Sequence, residues 1–93
     1  MGNTNCILSK EVAVVNELGL HARAAAKIAE LAQNAKSKVW IQKDDEKVDA
    51  KSIIDILTLA CGRGSTIQII IEDAADTSIL DSIVTLTMHG FGE

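Results

Sequence analysis

The stretch that decides the fold runs from Asn16 to Ala26 and reads Asn-Glu-Leu-Gly-Leu-His-Ala-Arg-Ala-Ala-Ala. A turn around Gly19 leads directly into an alanine-rich segment that favours a helix, so His21 lies at the predicted helix N-terminus. The first N–H groups of a helix lack intrahelical partners, and together with the helix dipole they favour a bound phosphate or another anion. Arg23 adds a guanidinium that pairs with phosphate oxygens. The stretch therefore predicts an anion site with a nucleophilic imidazole.

Hydrophobic periodicity on both sides of this stretch predicts four strands. Ile7 to Val15 is rich in Val and Ile over a strand length. Apolar and polar residues alternate around Val39 and Ile41, and apolar positions recur at every second residue from Ile67 to Ile71. A polar turn of two aspartates and a glutamate joins the second strand to a short third strand, Lys47 to Ala50, which makes a hairpin.

Three helical segments lie between and after these strands. In the first, apolar residues recur at intervals of three and four from Ala25 to Ala35. The second is shorter and runs from Ser52 to Leu59, with Ser52 as its N-cap. The third has the same spacing from Ile79 to Leu86, with Asp76 predicted to cap its start and Gly90 to take the left-handed position after its end.

The resulting order, β-α-β-β-α-β-α, predicts an α+β fold. We expect a two-layer open-faced β-sandwich, with a four-stranded, mainly antiparallel sheet and three helices on one face. The other face is expected to lie in solvent. The side chains predicted on it are Lys38, Trp40, Gln42, Gln68 and Glu72.

Length and composition are those of a single small domain. The chain has 93 residues, of which 47% are hydrophobic and 24% are charged. We expect one domain over residues 1 to 93, with residues 1 to 6 as a frayed tail. The formal net charge of -4 and the absence of a basic run argue against nucleic-acid binding. Trp40 and Phe91 are the only aromatic residues, too few for a base-stacking platform.

The chain shows no sequence signal for a membrane, a metal or a cofactor. No apolar run approaches the ~18 residues of a spanning helix, so we expect no membrane insertion and a cytoplasmic location. Cys6 and Cys61 have no cysteine or histidine partner at metal-ligand spacing, which indicates neither zinc nor a disulfide. Since no nucleotide loop or second catalytic group is present, a stand-alone enzyme is disfavoured.

Residues 16 to 26 resemble the active-site motif of the HPr family, the histidine-containing phosphocarriers of the bacterial phosphoenolpyruvate-dependent sugar phosphotransferase system. Lys51-Ser52-Ile53-Ile54 is similar to the family's second signature. The Gly-x-Gly before the last strand and the ending Gly90 to Glu93 are similar too. The resemblance covers roughly residues 7 to 93.

The resemblance implies a carrier that takes a phosphoryl group from phosphorylated enzyme I and passes it to an enzyme IIA domain for sugar uptake. His21 matches the family's phosphorylated histidine, whose Nδ1 atom is the acceptor. Arg23 matches the neighbour that contacts the phosphoryl group. Ser52 matches a serine that a dedicated kinase phosphorylates in some bacteria, which adds an HPr kinase or a transcriptional regulator to the expected partners. A monomer is expected.

The resemblance also implies a patch for docking these partners beside His21. Lys27 and Arg63 are expected to add a weak positive rim. The predicted interface residues are Ala22, Ala26, Ile53, Ile54 and Leu57.

Two residues depart from the family pattern. Ala24 stands where the family has proline, and its extra N–H is available to solvent or to a phosphoryl oxygen; we expect altered rates with retained function. Asp55 stands where the family commonly has glycine. Its charge would repel a phosphate on Ser52, which argues against regulation at that serine.

Two other functions are compatible with the same motifs. A carrier of a nitrogen-related phosphorelay shares them, and the chain does not separate it from a sugar carrier. A regulatory binding module of this fold would carry no phosphoryl flux, and the presence of both His21 and Arg23 argues against it. Phosphoryl transfer depends on positioning and charge stabilisation, so a small domain supplying one imidazole is sufficient for the chemistry.

Overall fold

A computed structural model describes residues 8 to 93 and contains the predicted order of elements. The predicted tail, residues 1 to 6, and the first residue of the predicted first strand lie outside the described residues. Two 3₁₀ turns, Ala74–Asp76 and Gly90–Gly92, flank the last helix. The elements are β1 (Leu8–Ala13), α1 (Ala22–Ala32), β2 (Val39–Lys43), β3 (Glu46–Asp49), α2 (Ile53–Thr58), β4 (Thr66–Ile71) and α3 (Thr77–Met88).

The four strands form one antiparallel sheet in the order β1-β4-β2-β3. β4 lies between β1 and β2, with Val12 opposite Ile67 and Ile41 opposite Ile69. The predicted period of two is confirmed, because Ile67, Ile69 and Ile71 are buried while Gln68 is exposed. The register thus places one apolar stripe of each central strand on the same face of the sheet.

The three helices cover this apolar face, as predicted. α3 packs on β1 and β4, α2 packs on β3, and α1 contacts both other helices. α1 buries Ile28 together with small alanines, which lets its backbone approach the layer beneath it. Each large side chain in this core, such as Ile28 or Ile83, contributes about 1.5 to 3 kcal/mol through burial.

The opposite face of the sheet is polar, as predicted. Lys38, Gln68 and Glu72 are exposed there. Trp40 is half-buried: its Nε1–H donates to Glu72 Oε2 at 2.8 Å, and Lys47 Nζ lies 4.7 Å from its ring centroid. The ring N–H and the π face of the Trp40 indole are therefore both occupied by residues of this chain.

The start of α3 differs from the prediction. Asp76 does occupy the N-cap position, but its side chain makes no capping hydrogen bond. Its buried carboxylate instead accepts hydrogen bonds from the backbone N–H groups of Lys36, at 2.8 Å, and Ser37, at 3.0 Å. The Lys36 bond is the main reason why the pKa of Asp76 is lowered. Asp76 therefore ties the loop after α1 to α3.

The loop before α1 is fixed by a close approach of two backbones. Gly19 has φ +65°, and a Cβ atom there would lie 2.3 Å from the carbonyl oxygen of Cys61. The next residue, Leu20, donates its N–H to that oxygen at 2.9 Å. Cys61 is buried, and burial raises the pKa of its thiol. Only glycine fits this position, which sets the point where α1 begins.

Within residues 8 to 93, no helix has the length and apolar character needed to cross a membrane.

Candidate phosphoryl-acceptor site

His21 is the N-cap residue of α1, with an extended backbone at φ -75° and ψ 179°. Its ring makes no capping hydrogen bond to the helix. Nδ1 lies 3.2 Å from the carbonyl oxygen of Gly19, and Nε2 lies 3.0 Å from Oε2 of Glu93. The side chain is 27% exposed, so the imidazole is held by its neighbours and still reachable from solvent.

The amide groups at the start of α1 are left open. The first intrahelical bond runs from the Ala25 N–H to the His21 carbonyl at 2.9 Å. The preceding amides of Ala22, Arg23 and Ala24 donate to no group within residues 8 to 93, and the first turn contains no acidic residue. Ala24 itself is fully buried, which places its extra N–H away from bulk solvent. This positive helix end suits an anion bound at the exposed residues Ala22 and Arg23.

A cleft of about 490 Å³ adjoins the imidazole. We call it the arginine cleft. His21 does not line it but contacts Glu93, which does. Two arginines and two glutamates thus line one cleft beside the imidazole. Its lining residues are Val15, Asn16, Glu17, Leu18, Arg23, Arg63 and Glu93.

The two cations expected at the rim of the site have different positions. Arg63 lines the arginine cleft together with Arg23. Lys27 does not: its Nζ donates to the carbonyl oxygen of Phe91 at 2.6 Å. The ammonium of Lys27 therefore holds the segment that follows α3.

Sequence reasoning gave no role to Asn16 and Glu93, which the structure brings together at the imidazole. Asn16 is buried, and its Nδ2 donates to the Gly19 carbonyl at 2.8 Å and to Glu93 Oε1 at 3.1 Å. Glu93 follows a turn in which Gly90, Phe91 and Gly92 all have positive φ. The glycines of this ending were the one sequence signal for such a turn, but they did not predict that the turn brings Glu93 to the His21 ring.

Ser52 is the N-cap of α2, as predicted. Its Oγ accepts a hydrogen bond from the Asp55 N–H at 3.2 Å. Asp55 itself is an acidic residue in the first turn, where the helix dipole favours a negative charge. Ser52 is half-buried and lines a groove of about 600 Å³ between α1 and α2, which also includes Ala26, Ile53 and Ile54.

The predicted interface residues are accessible to different extents. Ala22 is exposed and Ala26 is half-buried, four residues further along α1. On α2, Ile53 is 40% exposed, Ile54 74% and Leu57 39%, whereas Ile56 is buried in the core. Exposed Val15 and Leu18, which sequence reasoning missed, add a second apolar surface at the arginine cleft.

Comparisons with known proteins agree with this geometry. The family model for the PTS HPr component phosphorylation site matches residues 8 to 88. The phosphocarrier protein HPr of Cupriavidus necator is 38% identical over 87 residues, which are 94% of this chain and 98% of that protein. The phosphocarrier protein NPr of Shewanella violacea is 36% identical, over 92% of this chain and 94% of that protein.

Solved structures show the same likeness. The crystal structure of HPr-C-His from Thermoanaerobacter tengcongensis superposes with a TM-score of 0.84 at 32% sequence identity. The superposition covers 92% of this chain and 97% of that one. Sequence, fold and helix start therefore agree, and the chain belongs to the HPr family of phosphocarrier proteins of the phosphotransferase system.

Proposed function

We propose that the protein accepts a phosphoryl group on Nδ1 of His21 from phosphorylated enzyme I and passes it to an enzyme IIA domain for sugar uptake. The observation that carries the proposal is the start of α1. There the His21 imidazole at the N-cap makes no capping hydrogen bond, and the amides of Ala22 and Arg23 have no partner within residues 8 to 93.

The chemistry follows from these positions. The Nδ1 lone pair attacks the phosphorus atom, and the bond between phosphorus and the leaving atom of the donor protein breaks. The phosphoryl oxygens then lie at the positive end of α1, where the free amides and Arg23 offset their charge. Because the His21 side chain is 27% exposed and Ala22 and Arg23 are exposed, the group remains accessible for the next transfer.

Partner docking is proposed for the surface around this site. Ala22, Ala26, Ile53, Ile54 and Leu57 would form its apolar part, and the exposure of Ile54 at 74% supports such a role. An exposed apolar patch that fits more than one partner suits a carrier that meets enzyme I and enzyme IIA in turn. We propose that this cycle takes place in the cytoplasm and that the carrier is a monomer.

Regulation through Ser52 is a weaker proposal. Its Oγ is occupied by the Asp55 N–H, so a kinase would have to take the hydroxyl from the helix cap. A phosphate there would also lie close to the Asp55 carboxylate, which opposes it. If this repulsion limits the reaction, an HPr kinase will phosphorylate D55G faster than the unchanged protein. Equal phosphorylation rates would contradict a limiting role for the Asp55 charge.

The carrier proposal is tested by incubation with cognate enzyme I and labelled phosphoenolpyruvate. We expect acid-labile, base-stable label on the unchanged protein and none on H21A. The matched control is H89A, which removes the chain's other histidine, an exposed residue at the C-terminal end of α3. Label on H21A, or no label on the unchanged protein with a competent enzyme I, would contradict the proposal.

A second step of the same experiment identifies the phosphorelay. The labelled carrier is mixed separately with an enzyme IIA domain of a sugar transporter and with its counterpart from a nitrogen-related relay. We expect transfer to the sugar IIA domain. Transfer to the nitrogen-related domain alone would leave His21 as the acceptor and replace sugar uptake with the nitrogen relay.

A further inference from the structure

The His21 ring faces a hydrogen-bond acceptor on each side. Nδ1 lies 3.2 Å from the Gly19 carbonyl oxygen, and Nε2 lies 3.0 Å from Glu93 Oε2. A neutral imidazole has one N–H, so it can donate to only one of these acceptors. Donation to Gly19 would put the proton on Nδ1 and remove the lone pair that attacks phosphorus.

We propose that Glu93 is a positioning residue that keeps this proton on Nε2 and so leaves Nδ1 free to accept the phosphoryl group. The inference rests on the proposed function in that it takes Nδ1 of His21 as the acceptor. It adds a carboxylate to the site and assigns it a defined task, the choice of the imidazole tautomer.

The competition between the two acceptors favours Glu93. A carboxylate forms a charge-assisted hydrogen bond, which is roughly twice as strong as a bond to a neutral carbonyl. The contact to Glu93 is also the shorter of the two. Furthermore, the Gly19 carbonyl already accepts the Asn16 Nδ2–H at 2.8 Å. The proton is therefore expected on Nε2.

The carboxylate is held in place from several sides. Its Oε1 atom accepts from Asn16 Nδ2 at 3.1 Å, and the Asn16 Oδ1 atom has no partner within the described part of the chain. Phe91 is fully buried although its φ is +60°, and Lys27 Nζ donates to its carbonyl oxygen at 2.6 Å. An unpaired buried oxygen and a left-handed phenylalanine both cost stability. The hydrogen bonds from Asn16 and Lys27 and the burial of Phe91 hold the segment that places Glu93 against Nε2 despite these costs.

The same contact matters during the transfer. When the Nδ1 lone pair forms the N–P bond, the bond from phosphorus to the donor breaks and the donor's leaving atom keeps the electron pair. The His21 ring still carries its Nε2 proton and so becomes positively charged. Glu93 faces that N–H at 3.0 Å and offsets the new charge. The other charged residues lining the adjoining cleft are Glu17, Arg23 and Arg63.

The tautomer can be read directly from ¹⁵N chemical shifts of the imidazole in the full chain, at a pH where the ring is neutral. We expect the Nε2–H form in the unchanged protein and a larger Nδ1–H population in E93A. E93Q retains an oxygen that accepts the Nε2–H, so it should restore much of the original tautomer. E17A removes an equal charge from the same cleft and is expected to leave the tautomer unchanged.

Phosphorylation rates give the second readout. We expect E93A to accept the phosphoryl group from enzyme I about 10-fold more slowly, with E93Q in between. An unchanged tautomer in E93A overturns the proposal, and so does an unchanged tautomer in E93L, which also lacks the acceptor oxygen, if E93A does not fold. So does a tautomer change of equal size in E17A. The ring measurement needs no enzyme I, so a wild-type protein that is never phosphorylated would refute the proposed function independently of the tautomer result.

Discussion

The helices α1 and α2 begin in opposite ways. At the start of α2, Ser52 caps the helix through its Oγ, and Asp55 adds a negative charge to the first turn. At the start of α1, His21 holds the corresponding position but makes no cap, and the first turn has Arg23 and no acidic residue. The start of α2 is capped by its own residues, while the first amides of α1 have no partner in the part of the chain that the structure describes.

The N-cap residue stabilises the helix start in α2, whereas in α1 we propose that the same position serves a ligand. A side-chain cap contributes about 1 kcal/mol to a helix. α1 lacks that contribution, and its ring instead contacts Glu93. The amides of Ala22 and Arg23 have no partner within residues 8 to 93, which leaves them free for phosphoryl oxygens in the proposed carrier cycle.

The largest expected effect on stability comes from a substitution at Gly19, the residue that sets where α1 begins. G19A places a Cβ atom 2.3 Å from the Cys61 carbonyl oxygen and forces an alanine into a left-handed conformation. We expect a loss of about 3 to 4 kcal/mol in the free energy of unfolding, measured by urea denaturation. G62A is the matched control, since a Cβ there has nothing within 4 Å. Equal stability of the two variants would contradict the close approach.

A third helix start sharpens the contrast. Asp76 lies at the N-cap position of α3 but accepts from Lys36 and Ser37, so D76A should destabilise the protein by about 2 to 3 kcal/mol. The pKa of Asp76 is lowered on folding. Its contribution is therefore full above the unfolded-state pKa of about 3.9 and is lost as the pH falls through the lower folded pKa.

The measurement is urea denaturation of the unchanged protein and D76A between pH 7 and pH 2. The stability gap should be constant at the upper end and shrink in acid. D81A serves as the control, because Asp81 is 52% exposed and its ion pair with Lys10 is worth little. A gap that stays the same down to the lowest pH would refute the assigned role of Asp76.

The smallest effect compares the two caps directly. S52A should cost about 1 kcal/mol because it removes a cap, whereas H21A should cost about 0.5 kcal/mol or less because the ring caps nothing. Thermal or urea denaturation of the two variants side by side checks this order. If H21A proved the more destabilised, the imidazole would have a structural role at the start of α1.

The local parts of this account were predictable from the sequence. Gly19 before an alanine run is sufficient to place His21 at a helix start, and Ser52 at the start of a helical segment is sufficient to predict a cap. The alternation from Ile67 to Ile71 likewise predicts a central strand. In each case the signal and the structure lie within a few residues of each other.

The long-range parts were not predictable in this way. Glu93 and His21 are far apart in sequence, and they meet where buried Phe91 and its hydrogen-bonded neighbours hold the segment after α3. Asp76 has the composition and position of a helix cap, but packing brings it to Lys36 and Ser37. Nor did the sequence indicate that Lys27 donates to the Phe91 carbonyl. Which acceptor a side chain binds depends on which residues the fold brings near it, and periodicity in the sequence does not reveal that.

The central claim is that the open start of α1 receives the phosphoryl group. Backbone amide shifts in ¹H–¹⁵N spectra, recorded before and after phosphorylation by enzyme I, test it most directly. We predict that the Ala22 and Arg23 amide protons move strongly downfield as they bind phosphoryl oxygens, while the capped Asp55 amide stays in place. Phosphorylated protein in which the Ala22 and Arg23 amides do not move would contradict the account.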